Sequence, residues 1–437
     1  MTARPYEDAI QYLYGLQRLG IKFGLENITR VLSAIGNPQR RLATIHIAGS
    51  NGKGSTAAHL ESILLQAGYR VGLYTSPHFI RFTERIRVDR EAISEEKVVR
   101  WTRAILEALP ELRAAGSQEA SIPITFFEFT TAMAMAHFVH EGVELAILET
   151  GMGGRLDATN ICHPLVCVIT TISLEHQEFL GRTLVEIAGE KAGIIKLRVP
   201  VVCGVSHPRA REVVEAACRK KAAPFHQLGR EFQASGVPQA FSYRGINFSM
   251  HGLHTSLRGR HQVRNAGLAL AAAEILVERG YEISPEAMER GLRDVRWRGR
   301  QEWHPGPPQV LLDGAHNPEA IRSLCASLRR DYRFKRLRIL MGVMREKDHR
   351  RMIALLSPMT HEFVFSRPRL DRAQDPWVLQ AEARRLGRRA TVAEEVEQGF
   401  QDLLQRAEKE DMICVTGSLF AVGEVLALLE KNDLQAG

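Results

Sequence analysis

No apolar run in this chain reaches the ~18 residues that a membrane-spanning helix requires, so helical membrane proteins are excluded. Cysteine is scarce. The six thiols, at 162, 167, 203, 218, 325 and 414, form no C-x-x-C pair and fall mostly in apolar runs such as Val166-Cys167-Val168. That pattern excludes a disulfide-stapled miniprotein and predicts reduced core cysteines in a cytoplasmic protein. Residues 1–7 carry no basic-then-apolar signal pattern, and no repeat of solenoid length is present. The Arg-rich segments 367–372 and 384–389 lack the interleaved aromatics that stack on bases. They read as solvated faces, and no nucleic-acid or membrane partner is predicted. Positive charge is in modest excess: 58 Lys and Arg against 50 Asp and Glu leave +8 over 437 residues. This suits an acidic small molecule or a nucleotide. With 45% hydrophobic and 25% charged residues, the chain is neither disordered nor fibrous.

What is present is an alternation of short apolar runs with longer amphipathic ones. Strands are predicted at 44–48, 71–74, 145–149, 165–170 and 200–203, with helices from the turn after residue 48 to Gln66, at 126–140 and at 260–279. Such alternation argues for a mostly parallel sheet covered on both faces. A turn-rich stretch, 295–308, reads as a boundary. The rhythm then restarts with strands at 310–313, 338–341, 362–365 and 412–416. Two α/β domains are therefore expected, 1–296 and a smaller, Rossmann-like 297–437.

The most informative stretch is Ile45-His46-Ile47-Ala48-Gly49-Ser50-Asn51-Gly52-Lys53-Gly54-Ser55-Thr56. A buried strand runs into glycines, then Gly-Lys, then a helix. Glycines let backbone N–H groups converge on phosphate oxygens, and the helix N-terminus adds positive potential. Lys53 supplies a point charge for the β and γ phosphates. The first domain thus reads as a P-loop domain that holds phosphate through Gly49, Asn51, Gly52, Lys53, Gly54 and Ser55; the resemblance described next implies that the phosphate is that of ATP. The usual loop has Ser or Thr after the Lys to hold Mg²⁺; here that position is Gly54. A Glu at the end of a buried strand, Glu149, is a candidate metal ligand. The glycines that follow it, Gly151, Gly153 and Gly154, allow a ligand close to the backbone.

Many spaced motifs together resemble one family, the folylpolyglutamate synthases and dihydrofolate synthases, relatives of the Mur ligases. They include Ile21-Lys22-Phe23-Gly24-Leu25-Glu26, Gly36-Asn37-Pro38-Gln39, the loop 49–55, Tyr74-Thr75-Ser76-Pro77-His78 and Glu84-Arg85-Ile86. The most diagnostic runs from Leu148-Glu149-Thr150-Gly151-Met152-Gly153-Gly154-Arg155 into Leu156-Asp157-Ala158-Thr159-Asn160. Glu190-Lys191-Ala192-Gly193-Ile194, His261-Gln262 with Asn265-Ala266, Asp313-Gly314-Ala315-His316-Asn317-Pro318 and Thr416-Gly417-Ser418-Leu419-Phe420 complete the set.

The resemblance implies an ATP-dependent amide ligase. A carboxylate would be phosphorylated by ATP and the acyl phosphate attacked by the amine of L-glutamate. The acceptors would be dihydropteroate and reduced folates. It implies Mg²⁺, two ions in all, with Ser76, Glu149 and His176 as ligands, so that Ser76 supplies the hydroxyl that Gly54 cannot. Lys191 would be carbamylated, and catalysis would rest on Lys53, Glu149, His176 and Lys191. Asn265 and His316 would lie near adenine or ribose, Arg300 on the phosphates, with His261 and Asp313 beside them. The family most often has Asp where this chain has Glu175.

Phe127 is a candidate to stack on the pterin, and Asp157 and Ala158 match the pattern of bifunctional bacterial members. Ser418 is either a glutamate contact or a helix cap. A monomer is expected. The alternatives are a dedicated folylpolyglutamate synthase, a Mur-type peptide ligase, for which no nucleotide-sugar domain precedes Gly49, and a nucleotide-dependent switch.

Overall fold

The computed structural model describes residues 4–19, 24–109 and 124–436. Ile21, Lys22 and Phe23 of the first family-like stretch, and residues 1–3, lie outside the described residues. The chain divides into two compact units. One comprises residues 1–78, 82–256 and 263–295; the other comprises 79–81, 257–262 and 296–437.

The first unit is built on an eight-stranded sheet. Its centre is parallel: Thr44–Ala48 lies between Leu145–Glu149 and Val166–Ile169, with Val71–Tyr74 beyond the former and Val201–Cys203 beyond the latter. All five of these strands are fully buried, which is why they read as continuous apolar runs. Register pairs Ile47 with Glu149 and Ala48 with Ile169. The carboxyl ends of three neighbouring strands therefore emerge side by side, where open α/β sheets bind ligands. Helix Phe126–His140 starts at a capping box, in which Thr125 and Glu128 satisfy each other's backbone N–H groups. Its Phe129 and Phe138 pack in one core with Ala146, Leu148 and Tyr74.

Three strands, Gln233–Val237, Ala240–Arg244 and Ser249–Leu253, form a separate antiparallel sheet that the apolar pattern does not predict. They are mostly exposed and polar, so tertiary anchoring carries them. The Glu274 carboxylate on helix His261–Glu278 accepts the Ile246 N–H at 2.6 Å.

The second unit has a six-stranded sheet. Parallel strands Gln309–Asp313, Met412–Thr416, Leu337–Met341, Thr360–Phe365 and Arg389–Val392 are edged by antiparallel Arg300–His304. Helices Pro318–Asp331, His349–Leu356 and Pro376–Arg385 cover one face. Val396–Arg406 and Leu419–Ala436 cover the other. The stretch 295–308 thus holds a strand, Arg-Gln-Glu-Trp-His, too polar to read as one. Asp313 ends the second strand of this unit, not the first. Within the sheet, buried Arg338 is flanked by Glu362 and by Asp411 at 2.9 Å. Such a cluster is tolerated because each charge has a partner. All six cysteines are buried and free. No helix among the described residues is long and apolar enough to cross a membrane.

Candidate active site

The loop after Thr44–Ala48 is held from the neighbouring strand end. The Ser50 N–H donates to the Thr171 carbonyl at 2.8 Å and the Asn51 N–H to Thr171 Oγ1 at 2.9 Å. Thr170 Oγ1 donates to the Asn51 carbonyl at 2.7 Å. Two glycines are sterically required. A Cβ at Gly49 would lie 1.9 Å from Thr170 Oγ1, and one at Gly52, where φ is +88°, would lie 2.6 Å from Asn265 Oδ1. Gly52 is the N-cap of helix Lys53–Gln66, whose first turn contains Lys53, Gly54 and Ser55. The opening N–H groups of a helix have no carbonyl partner within it and favour an anion. Asn265 is brought to this loop by helix His261–Glu278.

Two ammonium groups converge on one oxygen. Lys53 Nζ and Lys191 Nζ each donate to the Gly49 carbonyl at 3.0 Å. Each also has a carboxylate neighbour. Lys53 Nζ stands 3.9 Å from Glu149 Oε1, and Lys191 Nζ stands 2.8 Å from Glu175 Oε1, both side chains being almost fully buried. The second oxygen of Glu149 accepts the Ser76 N–H at 3.3 Å. Burial lowers the Lys191 pKa, and the Glu175 charge works against that shift. Burial would raise Glu175, but Lys191 and then Lys53 hold it below the usual carboxylate range. His176 follows directly, with φ +46°, as the N-cap of the short turn Gln177–Leu180.

Ser76 and Glu149 are thus brought together, and His176 directly follows Glu175, the partner of Lys191. No group of three or more His, Cys, Asp or Glu side chains that could hold a metal is found among the described residues. One carboxylate and one hydroxyl nevertheless fit Mg²⁺, which commonly takes few protein ligands and completes its shell with water and phosphate oxygens.

Asp157, a candidate pterin contact, has both carboxylate oxygens engaged within the protein. Its Oδ2 accepts the Gly151 and Met152 N–H groups at 2.8 and 2.9 Å. Its Oδ1 accepts the Thr159 N–H at 3.0 Å and the Thr159 hydroxyl at 2.5 Å. One oxygen braces the glycine loop and the other the turn at Thr159. Thr159 Oγ1 in turn lies 2.7 Å from His46 Nε2. Because Thr159 gives its proton to Asp157, His46 is the donor, and burial pushes its pKa down to about 3. Ala158 is packed in the core. Phe127 does reach the loop: a Cβ at Gly151 would lie 2.7 Å from its ring, which stacks on Tyr74 at 5.7 Å.

Within the second unit, Arg300, Asp313 and His316 come together. Arg300 pairs with Asp313 in register, and its Nη1 lies 2.8 Å from where a Gly314 Cβ would be. Asp313 accepts the Gln301 and Ala315 N–H groups at 3.1 and 2.9 Å. Burial raises its pKa to about 6, against the pull of Arg300. His316 Nδ1 donates to the Gly314 carbonyl at 2.8 Å. His261 is pushed down to about 4 by burial and by Arg300. Ser418 is buried and its Oγ accepts the Ala421 N–H at 3.0 Å, as a cap of the last helix does.

Two family models match this chain: the Mur ligase middle domain over residues 47–273 and the Mur ligase glutamate ligase domain over residues 299–419. A dihydrofolate synthase/folylpolyglutamate synthase from Bacillus subtilis is 35% identical over 430 residues, covering 96% of this chain and 98% of its own. The chain belongs to this family of ligases.

Among solved structures, Escherichia coli FolC in complex with DHPP and ADP is similar at 29% identity and a TM-score of 0.88, covering 97% of this chain and 98% of its own. Folylpolyglutamate synthase from Thermotoga maritima is similar at 35% identity and a TM-score of 0.83, covering 98% of this chain and 97% of its own.

For a ligase of this family the informative residues that motif reading gave no role are Thr170, Thr171 and His46, and it noted Glu175 only as a departure from the family's Asp. None has a local signature. Thr170 and Thr171 end an ordinary strand, and the Glu175–Lys191 pair spans 16 positions. Only the sheet order brings the threonines to residues 49–51.

Proposed function

We propose that this chain joins L-glutamate to dihydropteroate and to the glutamate chain of reduced folates, at the expense of ATP. The observation that carries the reading is the Lys53 ammonium, held on the Gly49 carbonyl at the mouth of a helix N-terminus. A cation held on one neutral oxygen is ready to turn to phosphate. The names of the relatives support the acceptor class.

In this reading the loop N–H groups and Lys53 hold the β and γ phosphates. The acceptor carboxylate attacks the γ-phosphorus, the bond to the β-phosphate oxygen breaks, and ADP leaves. The glutamate amine then attacks the acyl carbon, loses a proton, and expels inorganic phosphate. Bringing a carboxylate onto a phosphate sets one anion against another, so cations and in-line placement are what the site contributes. Ser76, Glu149 and His176 would hold Mg²⁺, which when bound neutralises charge on the phosphates. Arg300, Asp313 and His316 are assigned to the nucleotide. Lys191 is assigned a carbamate, formed by CO₂ on its neutral amine; burial favours that neutral form and Glu175 opposes it. The two-domain division at 296/297, the monomeric state and a cytoplasmic location, which suits six free thiols, belong to the same proposal.

The test is ADP release by the purified enzyme with Mg²⁺-ATP, glutamate, and either dihydropteroate or tetrahydrofolate. Release is expected with each acceptor and only when glutamate is also present. Release that ignores glutamate points instead to a nucleotide switch. Because Asp157 is committed to the glycine loop, Asp157→Ala is expected to depress both ligations together, by about 10-fold or more, as loss of several hydrogen bonds to a carboxylate predicts. A selective loss of dihydropteroate ligation would instead restore the pterin contact.

A further inference from the structure

Arg85 is buried to 7% exposure, at the end of the turn Phe82–Arg85. Its Nε–H donates to His78 Nδ1 at 2.8 Å, and its guanidinium carbon lies 5.0 Å from the centre of the Phe126 ring. Tyr14 stacks on the same ring at 5.9 Å and places its hydroxyl 3.3 Å from His78 Nε2. His78 accepts at Nδ1 and so brings no negative charge. Among the described residues no carboxylate stands within ion-pair distance of Arg85 and neither Nη makes a hydrogen bond. Nor is either Nη among the fully enclosed unpartnered atoms, so the tips of the fork meet solvent. Among the described residues, the other arginine buried this deeply, Arg338, has two acidic partners. Burial opposes its charge, which the more distant Glu149 and Glu84 carboxylates offset only in part, and its fork is left without a hydrogen-bonded anion; its backbone is anchored at the site. The Arg85 carbonyl accepts the Thr75 N–H at 3.0 Å, next to the Ser76 N–H that binds Glu149.

We infer that Arg85 is the receptor for the α-carboxylate of the terminal glutamate of the acceptor folate, a charge that dihydropteroate lacks. The inference rests on the proposed function. A spectator carboxylate fits better than the reacting one. A guanidinium fork would tie up the lone pairs that must attack phosphorus, and no hydrogen bond or ion pair joins Arg85 to residues 49–55. Arg85 is therefore a specificity residue that separates chain extension from the first ligation.

The experiment compares wild type and Arg85→Gln on three acceptors. These are dihydropteroate, tetrahydrofolate, and a tetrahydrofolate whose α-carboxylate is a carboxamide, with ATP, Mg²⁺ and glutamate saturating. Arg85→Gln is expected to lower kcat/KM for tetrahydrofolate by about 10- to 100-fold, mostly through KM. Dihydropteroate should change by less than about 3-fold, which also reports that the variant is folded. Wild type should penalise the carboxamide by a similar factor, and the variant should not. Equal falls on both acceptors in a folded variant, or a carboxamide penalty undiminished by the substitution, overturn the inference. If Arg85→Gln does not fold, the wild type decides: no carboxamide penalty overturns it. Wild type that ligates glutamate to no acceptor sinks the proposed function itself, before any variant is made.

Discussion

Lys53→Ala is expected to lower turnover by about 10²- to 10³-fold with ATP saturating, the cost of removing one preorganised electrostatic contact from a transition state. Lys53 opens the helix that follows the phosphate loop, and its ammonium is held by one carbonyl, that of Gly49, with Glu149 nearby. A group so held can turn to a phosphate without breaking a tight ion pair. The same arrangement predicts little effect on stability, because the side chain is partly exposed and covers no core. Single-turnover ADP formation and a thermal melt, run on the same preparation, check both halves. Lys53→Arg is expected to restore little, since a planar fork does not replace a compact point charge among close backbone groups. Near-normal turnover in Lys53→Ala would remove the phosphate assignment.

Lys191→Ala is expected to be almost inactive and also less stable. Lys191 is buried against Glu175, so its loss leaves a carboxylate in the interior without a partner. Breaking a buried pair in this way costs about 3–5 kcal/mol. The pH dependence follows from the sign of the Glu175 shift. Its folded-state pKa is depressed, so it contributes stability above the unfolded value of about 4.3 and loses it as pH falls. Lys191→Ala should lack that acid-side loss. If the active form carries a carbamate, acetate or formate should restore part of the activity by occupying the vacated volume with a carboxylate. Full loss of stability support with no rescue by either acid would leave Lys191 a structural cation. Mass measurement of the intact wild type in bicarbonate buffer gives an independent reading.

The sequence by itself determined the parts whose signals are local. Continuous apolar runs mark Thr44–Ala48, Leu145–Glu149 and Met412–Thr416 because parallel strands are buried on both faces. The glycines and lysine of residues 49–55 mark the phosphate loop because such a turn tolerates few other residues there. The ordered motifs sufficed for the family. Tertiary structure decided what each charged or polar side chain does, since its partner comes from elsewhere in the chain. Lys191 meets Gly49 across 142 positions and His46 meets Thr159 across 113. Asp157 and Ser418 carry motif signatures that fit a ligand contact as well as a brace or a cap, and only the positions of the surrounding N–H groups reveal the brace and the cap. The polar strands Gln233–Val237 and Arg300–His304 escaped reading for a related reason. Their stability comes from hydrogen-bonded neighbours and anchoring side chains, not from an apolar face, and periodicity registers only apolar faces.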